Sequence, residues 1–197
     1  MFSRYEVYTS VQSIYCYKGT NVLKNKLGIR DAAKLKKAEE EITLIKQMDL
    51  MQEPIHGHFT KNHLFSVHRY LFEDVYSFAG HVRREQISQA DTMFYPPHLI
   101  DRELNKVFAK LKSSRISDIS EEKDFFALSA YVMAELNIIH PFREGNGRAI
   151  REFIRELALC RNYTLNWGNI PKEDLLKASI ESVYDHKVLI NVLKQCV

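Results

Sequence analysis

Apolar residues recur three and four positions apart over several long stretches of this 197-residue chain. That spacing places them on one face of an α-helix, whereas a strand needs strict alternation. In one stretch the apolar stripe Leu35, Ala38, Ile42 and Ile45 is interleaved with lysine and glutamate, and Asp31 before it is a suitable N-cap. Because helical spacing extends over most of the chain, the sequence predicts an all-α bundle.

Further helices are predicted from their starting residues. Thr60 is a plausible N-cap for one helix, and Ser120 opens another whose acidic first turn favours the helix dipole. A third begins near Gly147, Pro171 suits the first turn of a fourth, and Asp185 can cap the last. Their apolar stripes include Leu64, Val67, Leu71 and Val75; Phe125, Leu128, Val132 and Leu136; Ile150, Phe153, Ile154 and Leu157; and Val188, Leu189, Val192 and Leu193.

Residues 80–97 interrupt the helical pattern. Helical periodicity fails there, and the pair Pro96-Pro97 at the end of the segment stops whatever element precedes it. A short β-hairpin is the better prediction for this segment. The predicted fold class is therefore an all-α bundle that carries one short β-hairpin.

The composition limits the partners and the compartment. With 45% hydrophobic residues, a chain of this length can build one well-buried core, so a single globular domain is expected. The 28 basic and 25 acidic residues nearly balance, which argues against direct nucleic-acid binding. No run approaches the ~18 to 20 apolar residues of a membrane span, and the N-terminus lacks the apolar run of a signal peptide. Three cysteines without CxxC spacing fit reduced thiols, so a cytoplasmic protein is expected.

The segment from His140 to Arg151 concentrates groups that bind phosphate. Gly145 and Gly147 let the backbone adopt conformations in which consecutive N–H groups point at an anion where a helix begins. Arg148 and Arg151 are three residues apart, so they share a helix face, and guanidinium groups match phosphate oxygens in charge and shape. Each residue alone could belong to an ordinary turn or a solvated helix end. Their combination predicts a phosphate-binding loop.

Two further groups in this segment suit a reaction at phosphate. Glu144 by itself would repel the anion, but it becomes useful if a magnesium ion lies between them. His140 carries the side chain whose proton moves most easily near neutral pH. The sequence therefore places a candidate base and a candidate metal ligand beside the phosphate-binding loop.

The same segment resembles the signature of the Fic family, His-Pro-Phe-x-(Asp/Glu)-Gly-Asn-Gly-Arg-x-x-Arg, at every fixed position. The likeness extends from about Leu27 to the C-terminus, with further matches at residues 27–31, 74–80 and 178–184. It implies a Fic-type helical bundle over residues 27–197, which includes a short hairpin flap. Residues 1–26 are then an N-terminal extension. Most family members move AMP from ATP to a hydroxyl side chain of a target protein with the help of Mg²⁺. The resemblance implies the same activity here.

The resemblance also implies roles for individual residues. His140 is the expected general base toward the target hydroxyl, and Glu144 is the expected Mg²⁺ ligand. Asn146 and the backbone of the two glycines are expected to cradle the phosphates, and the two arginines to hold the phosphates beyond the attacked one. The residues assigned to the nucleotide site are Phe142, which anchors the loop in the core, Gly145, Asn146, Gly147, Arg148 and Arg151, with Ser179 and Tyr184 as candidates for the base pocket.

The predicted hairpin lies where Fic proteins carry their flap. The family's flap pairs with an extended segment of the target and aligns its hydroxyl with the α-phosphate, which is a case of β-augmentation. Thr92, Met93 and Phe94 are accordingly expected at the working edge, although a plain surface connection is the alternative. Backbone pairing selects little for side chains, so Ser, Thr and Tyr all stay open as the modified residue. Type II topoisomerase subunits, which some similar toxins modify, are the first expectation for the target.

Many Fic proteins restrain themselves with a Ser/Thr-x-x-x-Glu-Gly/Asn segment whose glutamate pairs with the second signature arginine, here Arg151. In this sequence the one glutamate followed by glycine or asparagine is Glu144, with His140 four positions before it. The resemblance therefore implies a toxin that is restrained by a small, separate antitoxin supplying the glutamate. The triplet Glu39-Glu40-Glu41 is predicted to be a solvated helix face rather than an internal brake.

Two other functions fit the same residues. Some Fic relatives transfer UMP or phosphocholine, and one branch phosphorylates, so another donor is the first alternative. The second is a non-catalytic nucleotide-binding module, against which His140 argues because phosphate binding alone has no use for a base. A metal hydrolase is disfavoured, because the histidines lack a persuasive set of acidic neighbours in the sequence: His56, His58, His63 and His68.

Overall fold

The structure is a computed structural model that describes residues 6–7, 12–89 and 92–197. These residues form seven α-helices, two single-turn 3-10 helices and three short strands. The helices are α1 (Ala32–Gln52), α2 (Lys61–Phe72), α3 (Pro97–Ser113), α4 (Glu122–Ile139), α5 (Asn146–Leu159), α6 (Lys172–Glu181) and α7 (Lys187–Cys196). The strands are β1 (Glu6–Val7), β2 (Ile87–Gln89) and β3 (Thr92–Met93), and the 3-10 turns are Ile116–Asp118 and Trp167–Asn169.

Helices α4 and α5 form the centre of the bundle. α4 packs against α3, α5 and α7, and α5 also packs against α2. Ten of the 18 residues of α4 are buried, more than one helix face holds, as expected for a helix surrounded by others. The loop between α4 and α5, residues 140–145, therefore joins two central helices. The predicted all-α bundle is confirmed, and so is its hairpin.

Two helix starts show predicted side-chain capping, those of α1 and α7. The Asp31 carboxylate accepts the Lys34 N–H at 2.8 Å and caps α1. α2 begins directly after Thr60, but the Thr60 side chain makes no capping hydrogen bond. α4 begins at Glu122, slightly later than a cap at Ser120 would give. Asp185 accepts the Lys187 N–H at 2.9 Å, so it stabilises the start of α7 from two residues upstream.

Helix α3 was not among the predicted helices. The pair Pro96-Pro97 is predicted to end an element, whereas Pro97 is the first residue of α3. Proline is tolerated there because the first helical N–H groups have no partner within the helix. The buried stripe of α3 consists of Ile100, Leu104, Val107, Phe108 and Leu111 at helical spacing.

The three strands form one antiparallel sheet in the order β1-β2-β3. Ser88 of β2 lies opposite Met93 of β3, and Gln89 lies opposite Thr92. This pair is the predicted hairpin flap. β1 pairs with the other side of β2, which no sequence signal predicted. Within the described residues β3 has β2 as its one strand neighbour, so β3 is an edge strand.

The predicted N-terminal extension contributes to the same core as the helices. Three residues of this segment are buried in that core, namely Cys16, Val22 and Leu23. The backbone N–H of Lys26 donates to the Val75 carbonyl at 2.8 Å. None of the described helices combines the length and the apolarity that crossing a membrane requires.

Candidate active site

The chain reverses direction at His140, directly after α4. His140 has φ 50° and ψ 62°, a left-handed conformation, and its N–H donates to the Leu136 carbonyl at 3.0 Å. This conformation costs a non-glycine residue roughly 1–2 kcal/mol, so surrounding contacts must impose it. The strained residue is the predicted catalytic base.

Arg83 supplies those contacts. Its guanidinium is buried and donates to four backbone carbonyls around the turn and the flap: His140 at 2.8 Å, Ile139 at 3.3 Å, Glu85 at 2.7 Å, and Tyr95. The backbone N–H of Arg83 also donates to the Pro141 carbonyl at 2.8 Å. Burial lowers the Arg83 pKa to about 10, so the side chain stays charged at neutral pH. No local pattern in the sequence points to Arg83, because its partners at the turn, residues 139–141, follow it by 56 to 58 positions.

The His140 imidazole is held as a neutral ring with a defined tautomer. Its side chain is buried, and burial lowers its pKa to about 3. Nδ1 lies 2.9 Å from the Asn137 carbonyl, which can only accept, so Nδ1 carries the ring proton. Nε2 of the neutral ring is then unprotonated, which is the form that a general base requires.

The flap residues predicted to dock the target lie in two different environments. Thr92 is half-buried and Met93 is 56% exposed, both on the edge strand β3. Phe94 follows β3 and is 6% exposed, with its ring stacked on His140 at a centroid distance of 3.8 Å. Successive side chains of an extended chain point to opposite faces, so Phe94 turns inward where Met93 turns outward. Phe94 therefore covers the imidazole and does not form part of the outer edge.

Asn146 braces the loop from inside. Its amide oxygen accepts the Phe142 N–H at 2.8 Å, and its amide nitrogen donates to the Phe142 carbonyl at 2.8 Å. The residue is fully buried at the start of α5. Both polar atoms of the side chain are thus bonded to backbone, and the expected contribution of Asn146 to phosphate binding stays a prediction. Phe142 is buried as expected.

His68 of α2 holds the same loop from the other side. Its ring stacks on Phe142 at 3.7 Å. Nδ1 accepts the Gly80 N–H at 2.8 Å, so Nε2 carries the proton and donates to the Glu144 carbonyl at 2.9 Å. Burial lowers the His68 pKa to about 3. His68 therefore ties the loop to residue 80, where the segment carrying the flap begins, a role that its position in the sequence did not reveal.

The two buried histidines predict how stability depends on pH. His68 and His140 have pKa values of about 3 in the folded chain and about 6.5 when unfolded. Between these values the unfolded chain binds more protons, so stability is lost as pH falls from about 6.5 toward 3. Each histidine adds up to about 1.4 kcal/mol per pH unit to this loss. His68→Gln keeps a polar side chain that can replace one of these hydrogen bonds without titrating, so the unfolding free energy from urea titrations should fall less steeply between about pH 7 and pH 5.

Exposed His56 provides the matched control. His56→Gln should leave the slope of unfolding free energy against pH at the wild-type value. Equal slopes for His68→Gln and wild type would show that the His68 ring is protonated in the folded chain, against the assignment above.

Gly145 and Glu144 form the start of α5. Gly145 is the N-cap with φ 79°, a left-handed conformation that glycine adopts without strain, and the Phe72 ring fills the space where a Cβ would lie. Glu144 is half-buried and accepts the Gly145 N–H at 3.0 Å. Burial, followed by the nearby charge of Glu39, raises the pKa of Glu144. The carboxylate therefore lies where a neighbouring cation would stabilise its charged form.

Arg148 is already engaged by side chains of α1. Its guanidinium forms an ion pair with Glu39 and donates to the Thr43 hydroxyl at 2.9 Å. Glu39 is buried, whereas Glu40 and Glu41 are exposed, so the prediction of a solvated triplet is wrong for its first member. The reason is helical geometry: residues 39 and 43 are four apart and share the face that α1 turns inward.

Two further residues assigned to the nucleotide site, Arg151 and Tyr184, differ in exposure. Arg151 is half-buried, and Gly147 leaves room for it: a Cβ on Gly147 would lie 3.1 Å from the Arg151 guanidinium. Tyr184 is 91% exposed and follows the end of α6. Its assignment to the base pocket stays a prediction.

The fold and the site define a class of protein: a helical bundle in which a buried histidine and two arginines belong to the segment around a helix N-terminus suited to phosphate. The sequence profile of the Fic/DOC family matches residues 58–158. The chain belongs to the Fic/DOC family, which confirms the resemblance drawn from the signature.

Individual relatives cover almost the whole chain. It is 34% identical to the "Protein adenylyltransferase VbhT" of Bartonella schoenbuchensis over 88% of this chain, but it spans only 36% of that protein's length. It is also 34% identical to the "Probable protein adenylyltransferase y4lH" of Sinorhizobium fredii, over 89% of this chain and 90% of that protein. Among solved structures, the BepC protein of Bartonella tribocorum with bound AMPPNP aligns with TM-score 0.82 and 27% identity, over 92% of this chain and 95% of that chain.

Proposed function

We propose that this chain is a protein adenylyltransferase that moves AMP from ATP to a hydroxyl side chain of a target protein. The observation that carries the proposal is the buried His140 imidazole, neutral and with its Nδ1 bonded to the Asn137 carbonyl, in the loop that leads into the N-terminus of α5, where phosphate can bind. The relatives named as protein adenylyltransferases and the structural neighbour with bound AMPPNP support the same activity and the same donor.

In this reaction the target hydroxyl oxygen attacks the α-phosphorus of ATP. The new O–P bond forms as the bond to pyrophosphate breaks, and His140 Nε2 takes the hydroxyl proton. The N–H groups at the start of α5, together with Arg148 and Arg151, hold the remaining phosphates and stabilise the charge that moves onto pyrophosphate. Positioning and charge stabilisation supply most of the acceleration in such transfers, which suits a site with one base and two arginines.

Glu144 fits the role of a magnesium ligand in this proposal. Within the described residues no group of three or more His, Cys, Asp or Glu side chains could hold a metal ion by itself. Mg²⁺ commonly binds through one or two carboxylates and completes its shell with substrate phosphates and water. Glu144, placed next to the phosphate-binding helix start, meets that requirement. When bound, the ion would neutralise part of the phosphate charge.

The flap supports target docking by backbone pairing. β3 is an edge strand in the described part of the chain, and exposed Met93 lies on it. An extended target segment that adds to β3 would extend the sheet to a fourth strand. Thr92 and Met93 are the residues that would face it, whereas Phe94 stays beneath against the base.

We also propose that the protein acts in the cytoplasm as a toxin restrained in trans by an antitoxin. The printed sequence does not match the Ser/Thr-x-x-x-Glu-Gly/Asn pattern by which related proteins restrain themselves. A separate protein that supplies a glutamate to Arg151 would keep the terminal phosphate from binding. A type II topoisomerase subunit remains the first target to test.

Labelled ATP identifies the activity directly. Purified chain mixed with bacterial lysate, Mg²⁺ and ATP labelled at the α-phosphate should transfer label to protein, and mass spectrometry should find one AMP residue on a Ser, Thr or Tyr. Label placed at the γ-phosphate should not be transferred. Transfer from γ-labelled ATP, or transfer from labelled UTP in preference to ATP, would contradict adenylyl transfer and indicate a kinase or a uridylyltransferase.

A further inference from the structure

Glu39 of α1 is a buried carboxylate with both oxygens engaged. One oxygen forms the ion pair with Arg148 of α5, and the other accepts a hydrogen bond from the Tyr76 hydroxyl. Glu39 is only 7% exposed, and a buried carboxylate is stable only when it is paired in this way. In the sequence Glu39 lies 37 positions from Tyr76 and 109 positions from Arg148, so these contacts form only when the chain folds.

Arg148 is fixed from three directions. One terminal nitrogen meets Glu39, the other donates to the Thr43 hydroxyl at 2.9 Å, and the Phe72 ring lies 4.7 Å from the central carbon of the guanidinium. A guanidinium has five N–H donors, and these contacts use two of them. The remaining donors are held in one orientation before any nucleotide binds.

The charges around the pair stabilise this arrangement. Burial alone would lower the pKa of Arg148, but Glu39 and Glu144 outweigh it and raise that pKa. Burial, and then the charge of Glu39, raises the pKa of Tyr76, so its hydroxyl remains a donor to the carboxylate. The result is a permanently charged Arg148 with a fixed counter-ion behind it.

We propose that Glu39, supported by Tyr76, is a positioning residue for the transfer reaction, and that it acts on the nucleotide only through the orientation of Arg148. This inference rests on the proposed function, in which Arg148 binds phosphates of ATP. A preorganised arginine binds phosphate without first losing side-chain freedom, so its affinity is higher than that of a mobile one.

A brake is the opposite role for the same contact. A brake must release Arg148 when ATP arrives, and release would leave the buried Glu39 carboxylate without its charged partner. Tyr76 also holds the second oxygen of Glu39, which favours a fixed support. The two roles predict opposite signs for the effect of removing the charge.

The test is a double-mutant cycle on ATP affinity, measured by calorimetry without any target protein. Glu39→Gln should weaken ATP binding by about ten-fold, the size expected when one charge-assisted hydrogen bond is lost. In an Arg148→Ala background the same change should have less than about a two-fold effect, because Glu39 then has no arginine to orient. Glu40→Gln, a change at the exposed neighbour, is the matched control and should bind ATP like wild type.

Two outcomes would overturn the proposal. Unchanged or tighter ATP binding by Glu39→Gln would overturn it and identify Glu39 as neutral or as a brake. A loss of the same size with and without Arg148 would also overturn it, because Glu39 would then act through the fold. ATP binding does not require AMP transfer. A wild-type protein that binds ATP but labels no target protein would therefore contradict the proposed function, and the double-mutant cycle would still decide the role of Glu39.

Discussion

Alanine in place of His140 is expected to abolish AMP transfer while ATP affinity stays within about two-fold of wild type. A positioned base contributes typically ~10²- to 10⁴-fold to a transfer reaction, and this site has one such group. The imidazole is neutral and contacts Asn137 and Phe94, so its removal takes no charge from the phosphate-binding loop. Rates of labelling with α-labelled ATP and calorimetric ATP binding together measure both parts of the prediction.

His98→Ala is the matched control, because His98 is exposed near the start of α3. That variant should label targets at the wild-type rate. Equal labelling by His140→Ala and wild type would remove His140 from the mechanism. Loss of ATP affinity together with labelling would instead show that the histidine supports the phosphate site.

The His140 variant also tests the proposed toxin. Expression of the wild-type chain without an antitoxin should slow growth of its host, whereas the His140→Ala chain at the same level should not. If both chains permit normal growth, autonomous toxicity is wrong even if the enzyme transfers AMP in the test tube.

Alanine at Gly145 is expected to cause the second large loss, in stability as well as activity. The left-handed backbone costs a residue with a Cβ about 1–2 kcal/mol. The added Cβ would also lie 2.2 Å from the Phe72 ring, an overlap that no small shift relieves. Overpacking of this kind typically costs a further ~1–3 kcal/mol. Because Phe72 contacts both His68 and Arg148, its displacement should also lower the rate of transfer.

Gly19 separates the two costs. It has φ 74°, and a Cβ placed on it would meet nothing within 4 Å, so Gly19→Ala reports the backbone cost alone. Urea unfolding should show a clearly larger loss for Gly145→Ala than for Gly19→Ala. Adding Phe72→Leu to Gly145→Ala should recover part of the loss by making room. Equal losses at the two glycines would mean that the packing against Phe72 is unimportant.

Local patterns in the sequence predicted much of the fold. Apolar spacing and the Asp31 cap predicted α1, and the loss of periodicity over residues 80–97 predicted the hairpin, because each signal depends on residues within a few positions of one another. Helix α3 was missed where proline was taken as an ending rather than a beginning. The domain limits drawn at residue 27 stay a prediction.

The site was predictable only where its residues are adjacent in sequence. The signature from His140 to Arg151 showed the base, the glycines and the arginines together. Their supports are distant: Glu39 precedes Arg148 by 109 positions, and His68 precedes Glu144 by 76. Such partners meet only after folding, and a lone arginine, histidine or acidic triplet carries no local sign of them. The opposite burial of Met93 and Phe94 likewise depends on where the hairpin docks.

Arg83 restricts how this protein could acquire new targets. One guanidinium joins the carbonyls of Glu85 and Tyr95, on either side of the hairpin, to the carbonyl of the residue that bears the base. Substitutions at the base of the hairpin would therefore disturb the imidazole as well as the docking edge. Natural variation in target choice should then be confined to outward-facing side chains of β3, such as Met93. Selection can alter such side chains while the chemistry stays unchanged.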